Sequence, residues 1–338
     1  MATRLERLQS RRFDPDVALT KSLHESYRSI SQSESVRYVI GAMQPIEPDY
    51  TKATFEQANR VQNQLANRLT IGCEFDHQGS VTNDTHIKAK SDIDLLTIIE
   101  RFFTLEPPQT AAYPYEGDPV ADLRALRGQT ITSLKAAFPE ATVDTSGAKS
   151  VSIEGGSLRR KIDVVPCNWY DTNKYAETGQ KVWRGIQILD ANRGIRIKNT
   201  PFLHNAFIDQ KDRESGGGFR KAARLMKSVK YDAENVDLSS YDIVAIAFNI
   251  SSTTLNVPRE MELSLLEACV AYCNLLENNA TYRDSLYVPD GHRKVFGPDG
   301  ATAAGLSQLS RELNRLATDV LSENRRSFAK LAEARVSY

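Results

Sequence analysis

The sequence predicts an α+β fold of two lobes, a mixed β-sheet core followed by a helical C-terminal lobe. Short runs with strand-like alternation, bounded by turn residues, lie between Ile71 and Ile197. After Asn199-Thr200-Pro201 the apolar residues recur with helical spacing up to Val336. The boundary is placed accordingly, with residues 1–198 carrying N-terminal helices and the sheet core and residues 199–338 the helical lobe. The 338 residues suffice for two such lobes. No apolar run approaches the ~20 residues needed to cross a bilayer, and no signal-peptide core is seen, so no membrane partner is expected and the location is read as cytoplasmic.

Residues 1–50 read as helical segments with a polar break at Ser31 to Ser35. Thr51 to Leu69 is a helix, with Phe55, Ala58, Leu65 and Leu69 near a 3.6 period. Ile71, Cys73 and Phe75 alternate in a first strand, and Ile93 to Ile99 suit a buried second strand that ends near Arg101. Loop chemistry from Pro107 to Pro119 leads to a helix over Asp122 to Phe138, stopped by Pro139. Gly155-Gly156 between two β-like runs, Ser150 to Glu154 and Leu158 to Cys167, marks a hairpin. Trp169 to Arg196 is a loop and a small strand pair. Asn199-Thr200-Pro201, a capping residue and then Pro in the first turn, starts the helical lobe. Helices over Phe219 to Lys230, from Ser239 onward, over Met261 to Leu276 and over Ala303 to Val336 fill that lobe. The last has Leu306, Leu309, Leu313, Leu316 and Val320 at 3-4-3-4 spacing, which suits a bundle or another subunit.

Lys plus Arg and Asp plus Glu both number 43, so the formal net charge is zero. That balance argues against an extended nucleic-acid surface and leaves room for a local basic groove. The four cysteines, Cys73, Cys167, Cys269 and Cys273, lack zinc-site spacing and read as reduced core residues.

The stretch richest in chemistry is Gly79-Ser80, followed twelve residues later by Asp92-Ile93-Asp94. On a strand, Asp92 and Asp94 point to one face, where two carboxylates repel unless a cation lies between them. Magnesium, a hard ion that also binds phosphates, suits such a pair. Gly79 allows close approach of a phosphate, and Ser80 adds a hydroxyl donor. Asp163 stands alone among the apolar residues of Ile162 to Val165. It is either a carboxylate paired with Arg160 or Lys161, or a third ligand reaching the first pair from a neighbouring strand. From Lys211 to Lys230 there are seven basic and two acidic residues, a net +5. Arg220, Arg224 and Lys227 share one helix face there, which fits a polyphosphate. Ser239 and Ser240 open the next helix, where a cap could also donate to phosphate.

Gly-Ser, a spacer and Asp-x-Asp resemble the signature of polymerase-beta-like nucleotidyltransferases. With Asp163, Arg224-Leu225-Met226-Lys227 and Ser239-Ser240-Tyr241 added, the chain resembles the CD-NTase family over roughly residues 52–277. These are bacterial relatives of cyclic GMP–AMP synthase and oligoadenylate synthase that make cyclic oligonucleotide signals in anti-phage (CBASS) defence. The resemblance implies that Asp92, Asp94 and Asp163 hold two Mg2+ or Mn2+ ions and are catalytic. It implies that Gly79, Ser80, Arg224, Lys227, Ser239 and Ser240 bind nucleotide, with Lys227 and Ser240 on the donor triphosphate, the active site lying in a cleft. Ribonucleoside triphosphates would be the substrates, and a separate effector protein would respond to the product. Members often carry Gly before Thr in the Gly-Ser loop, where this chain has Asp84 before Thr85. The zinc-binding insert of the animal synthase has no counterpart, so direct DNA sensing is not expected. The same residues would also serve a nucleotidyltransferase that modifies a protein or transfer RNA, or a catalytically silent nucleotide sensor.

Overall fold

The computed structural model describes residues 2–13, 33–233 and 235–336, with side chains as far as Glu323 in the closing helix. The chain forms two compact units. One comprises residues 47–84 and 89–206; the other comprises the described residues up to Ile46, residues 85–88, and the chain from Phe207 onward.

The first unit is built on a seven-stranded mixed sheet. Its strands are β1 (Cys73–Gln78), β2 (Ile93–Leu105), β3 (Thr142–Asp144), β4 (Val151–Gly155), β5 (Leu158–Asp171), β6 (Arg184–Asp190) and β7 (Ile195–Asn199). The order is β1-β2-β5-β4-β3, with β6 also pairing β5 beyond β4, and β7 pairing β6. Only β2 and β5 run parallel; every other pairing is antiparallel. A parallel pair needs a long crossover, and the helix Pro119–Ala137 with β3 and β4 supplies it. Asp118 caps that helix by accepting from the Val120 and Ala121 amides at 2.8 and 3.1 Å.

Alternation along β2 and β5 gives the sheet two apolar faces. Ile93, Leu95, Ile162 and Val164 pack with Ala58, Val61 and Leu65 of the helix Pro48–Arg68 and with Leu134 of the helix Pro119–Ala137. Leu96, Ile98, Val165 and Cys167 pack with Trp169, Ile186 and Ile188 on the other side. Asp94 and Asp163 share this second side, where the apolar residues give way to polar ones. Strand β2 runs to Leu105, past the end expected near Arg101, with an irregularity between Ile99 and Phe103 in its pairing to β5. Such irregularity breaks the simple alternation by which strands are read.

The second unit is helical. The helix Gly218–Asp232 lies at its centre, with Phe219, Ala222, Ala223, Leu225, Met226 and Val229 buried. The helices Ser240–Phe248, Ser264–Asn278 and Ala303–Val336 contribute Ile243, Ile246, Leu265, Cys269, Leu306, Leu309 and Leu313 to the same core. The leucine ladder of the closing helix is therefore used inside the unit over its described part. Cys167, Cys269 and Cys273 are buried and Cys73 is half-buried, all as free thiols.

The N-terminal helices Arg4–Arg12 and Glu34–Met43 belong to this helical unit, so the division departs from the expected 1–198 and 199–338. They add Leu8, Val36, Val39 and Met43 to its core and make a buried polar contact at the end of the helix Gly218–Asp232. The Asp232 carboxylate accepts from Arg11 at 2.5 Å and from the Tyr38 hydroxyl at 2.6 Å, while Arg7 donates to the Asp232 carbonyl at 2.6 Å. Burial, and then the Asp232 carboxylate, push the Tyr38 phenol above its ordinary range. The break expected at Ser31 to Ser35 lies partly outside the described residues; its described end, Ser33, is where the helix Glu34–Met43 starts.

Removing the Asp232 carboxylate would leave the Arg11 guanidinium buried without its counter-charge. Asp232→Ala is expected to lower stability by about 3–5 kcal/mol in urea unfolding at pH 7. A loss below about 1 kcal/mol would show that Asp232 is not what ties these helices down.

Candidate active site

Strand register brings the acidic residues together. Asp94 on β2 lies directly opposite Asp163 on the parallel strand β5. On the far side of each, Asp94 faces Gln78 of β1 and Asp163 faces Ser152 of β4. Cross-strand partners share a face, so four neighbouring strands place Gln78, Asp94, Asp163 and Ser152 in one row. Asp92 precedes β2 by one residue and is the most exposed of the three acids, its side chain 56% accessible against 19% for Asp163.

The row is hydrogen-bonded around its carboxylates. Gln78 Nε2 donates to Asp94 Oδ2 at 3.3 Å and is itself oriented by Asn199, whose amide donates to Gln78 Oε1 at 3.1 Å. The Ser152 hydroxyl donates to Asp163 Oδ1. Lys161 lies two residues before Asp163 on the same face, its Nζ 3.4 Å from Asp163 Oδ2 and 3.8 Å from Asp92 Oδ2. Asp163 thus pairs with Lys161 and stands beside Asp94 on the neighbouring strand. Gln78, Ser152 and Asn199 were not singled out by motif, because only the register reveals them.

Burial, followed by the neighbouring Asp163 carboxylate, pushes the Asp94 carboxyl up to about 7. The Gln78 hydrogen bond opposes this, and Asp92 adds to it. A carboxylate so destabilised favours a partner of high positive charge, and the oxygen-only donor set suits a hard divalent ion. Among the described residues, no three acidic, imidazole or thiol groups already stand in a metal-ready cluster. The set fits such an ion in kind, with the Lys161 ammonium among its acids.

The Gly-Ser turn abuts this row. Gly79 has a φ of +98°, and a Cβ there would meet Asp94 Oδ2 at 3.4 Å. Thr82 closes the turn, its amide and hydroxyl both donating to the Gly79 carbonyl at 3.2 and 2.8 Å. Asn205 fixes the loop by donating to Thr82 and accepting from Asn83. Asp84 has a φ of +55° and is the non-glycine residue with a left-handed backbone among the described residues. The position where CD-NTases often carry Gly thus keeps a glycine-like conformation, which Asp enters at less expense than most residues.

Within the helical unit, the basic stretch differs from a solvated cationic face. Arg220 pairs with Asp209 and Asp212. Arg224 is buried and donates to the Met43 carbonyl at 2.8 Å. Lys227, also buried, donates to the Thr85 carbonyl at 2.6 Å. Burial, then Arg224 and Lys88, push the Lys227 ammonium down to about 7. The helix is packed on most sides, so Arg224 and Lys227 end at buried carbonyls and Arg220 among carboxylates rather than in water. Ser239 caps the helix Ser240–Phe248, accepting from the Asp242 amide at 3.0 Å and donating to its carboxylate at 2.6 Å. Ser240 begins that helix and is exposed, followed by Tyr241, over whose ring lies the Arg293 guanidinium.

The raised Asp94 ionisation has a sign that can be tested. Its carboxyl ionises near 4 when unfolded and near 7 when folded, so between these values the folded protein holds the proton more tightly. Stability contributed by the protonated form is present below pH 4 and is lost as pH rises through 7. Without divalent ions, Asp94→Asn is expected to exceed wild type by about 2–4 kcal/mol at pH 8, the gain vanishing below pH 4. Parallel stability–pH curves for the two proteins would contradict the assignment.

No protein-family model matches the chain. It is 39% identical over 307 residues to a protein of Yersinia aleksiciae named cyclic dinucleotide synthase CdnE, covering 89% of this chain and 81% of that protein. It is 33% identical over 275 residues to a c-di-GMP synthase of a Lachnospiraceae bacterium, covering 73% and 78%. Among solved structures, a STING-associated CdnE c-di-GMP synthase of Capnocytophaga granulosa superposes with a TM-score of 0.77 at 27% identity, over 94% of this chain and 98% of that one. No helix among the described residues is long and apolar enough to cross a membrane. Sequence likeness along most of its length and a shared fold place this chain in the CD-NTase family of nucleotidyltransferases that make cyclic oligonucleotides.

Proposed function

We propose that the protein joins two ribonucleoside triphosphates into a cyclic dinucleotide, with cyclic di-GMP the product expected first. The observation that carries the chemistry is the pairing of Asp94 with Asp163 across two parallel strands, with Asp92 at the edge. The choice of guanine rests on relatives at 33% and 27% identity that bear the name c-di-GMP synthase. A CBASS setting is part of this reading. The STING association named for the C. granulosa protein favours a separate effector that reads the product, and the cytoplasm suits that exchange.

Asp92, Asp94 and Asp163 would hold Mg2+ or Mn2+. When bound, such ions supply positive charge to phosphoryl oxygens and acidity to an acceptor hydroxyl. The chain's own residues do the rest. Asp163, held by Ser152, orients an acceptor 2′- or 3′-hydroxyl and accepts its proton. Gly79 leaves room beside Asp94 for a phosphate, and Ser80 donates to it. On the helical unit, Lys227 and Ser240 are the proposed phosphate contacts, with Arg224 and Ser239 supporting them. Positioning of this kind supplies most of the rate in phosphoryl transfer. The linear dinucleotide then closes when its free hydroxyl attacks its own triphosphate, releasing a second pyrophosphate.

The product is the direct test. Incubation with all four ribonucleoside triphosphates and Mg2+ or Mn2+, followed by mass spectrometry, is expected to give cyclic di-GMP that survives alkaline phosphatase. Asp163→Ala is expected to abolish it. A product that is linear, or attached to protein or RNA, would replace this reading with a nucleotidyltransferase that modifies a macromolecule.

Lys227 offers a second readout. With its ammonium held near 7, it is mostly neutral at pH 8, and an arriving triphosphate favours the charged form. Binding of GTP at pH 8 is expected to take up about one proton, measured by calorimetry in buffers of different ionisation enthalpy. Lys227→Met is expected to remove that uptake and weaken binding by about 1–3 kcal/mol. Equal uptake in both proteins would count against Lys227 as the phosphate contact.

A further inference from the structure

We propose that Lys161 is a tethered counter-cation that competes with divalent metal for Asp92 and Asp163, and so sets the metal affinity of the nucleotide-free site. This rests on the reading of Asp92, Asp94 and Asp163 as metal ligands.

Lys161 and Asp163 are two residues apart on β5, so their side chains leave the same face of the sheet. The ammonium lies 3.4 Å from Asp163 Oδ2 and 3.8 Å from Asp92 Oδ2, between the two acids that flank Asp94. The other oxygen of Asp163, Oδ1, accepts from the Ser152 hydroxyl. Both oxygens of this carboxylate therefore have partners within the protein. An ion binding at Oδ2 must displace the ammonium or share the oxygen with it at the expense of like-charge repulsion.

An exposed ion pair is weak because water screens it and because two long side chains must be held still. Here the acid side is already fixed. Asp163 is shielded, bonded to Ser152 and opposite Asp94 in the sheet. Lys161 has only its own side chain to order, and its attachment to β5 keeps its ammonium within reach of the acids. Occupancy by a monovalent, tethered cation lowers the net negative charge that a free divalent ion would meet. The acids are kept from full mutual repulsion, while an ion must still compete to enter. Lys161 is in this sense a positioning residue, acting on the reaction through the acids.

The test is Mn2+ binding to the full-length, nucleotide-free protein, followed by electron paramagnetic resonance at pH 7.5, with circular dichroism as a check of folding. Lys161→Gln and Lys161→Met remove the charge by different side chains, and each is expected to bind Mn2+ about ten-fold more tightly than wild type. Lys161→Arg keeps the charge and is expected to bind as wild type does. Asp163→Asn is expected to lose most of the binding. If both charge-removing variants bind Mn2+ as wild type or more weakly, while Asp163→Asn still loses it, the role of Lys161 is overturned and the metal site stands. If Asp163→Asn binds Mn2+ as wild type does, the metal reading fails, and the role of Lys161 fails with it.

Discussion

The parallel pairing of β2 with β5 is the constraint on which the site depends. It sets Asp94 beside Asp163 at the point where apolar residues give way to polar ones on that face of the sheet. A slip of one residue would turn Asp163 toward Ala58 and Leu65 and bring Ile162 or Val164 to Asp94 instead. The register is held by the burial of Ile93, Leu95, Ile162 and Val164 on one side and Leu96, Ile98, Val165 and Cys167 on the other. Packing energy thus keeps two like charges as neighbours. Burial, and then their repulsion, raise the pH at which Asp94 ionises, while the strands stay paired.

Around the acids, each contact performs a limited task. Gln78 and Ser152 come from strands on opposite sides and hold one carboxylate each. Asn199 at the end of β7 orients Gln78 in turn. The Gly-Ser turn approaches Asp94 because Gly79 has no side chain and adopts a positive φ. Two of the acids are thus held by neighbouring side chains, and the first, Asp92, is the most open to water.

Much of this was legible in the sequence. The Gly-Ser/Asp-x-Asp spacing and the apolar strand after it pointed to the sheet and its acids, and Pro201 marked the start of its helix at the correct residue. The hairpin at Gly155-Gly156 gave one strand pairing, but the pairing of β2 with β5 was not legible, because it is decided by contacts remote in sequence. Asp163 was visible as an acid among apolar residues, with a place beside Asp94 as one of its two readings, whereas its other neighbour, Ser152, was not visible. The affiliation of the N-terminal helices was hidden for the same reason, since Arg11 and Tyr38 meet Asp232 about 200 residues away. Arg224 and Lys227 show another limit. A cation at helical spacing reads the same whether water or a buried carbonyl receives it, and here Met43 and Thr85 do.

The path of the chain between the two units has a consequence for how the protein forms. Residues 47–84 and 89–206 make the sheet unit, and the short segment 85–88 between them belongs with the helices. Neither unit is a continuous piece of chain. Translation from the N-terminus would deliver Arg7, Arg11 and Tyr38 long before Asp232, their partner, has been made. The helical unit, whose core draws on residues from Leu8 to Val320, must therefore wait until these distant segments have all been made, and contacts of such sequence separation slow folding. No single cut can release either unit intact. The enzyme is in this respect one folding transaction, although it is two bodies in space.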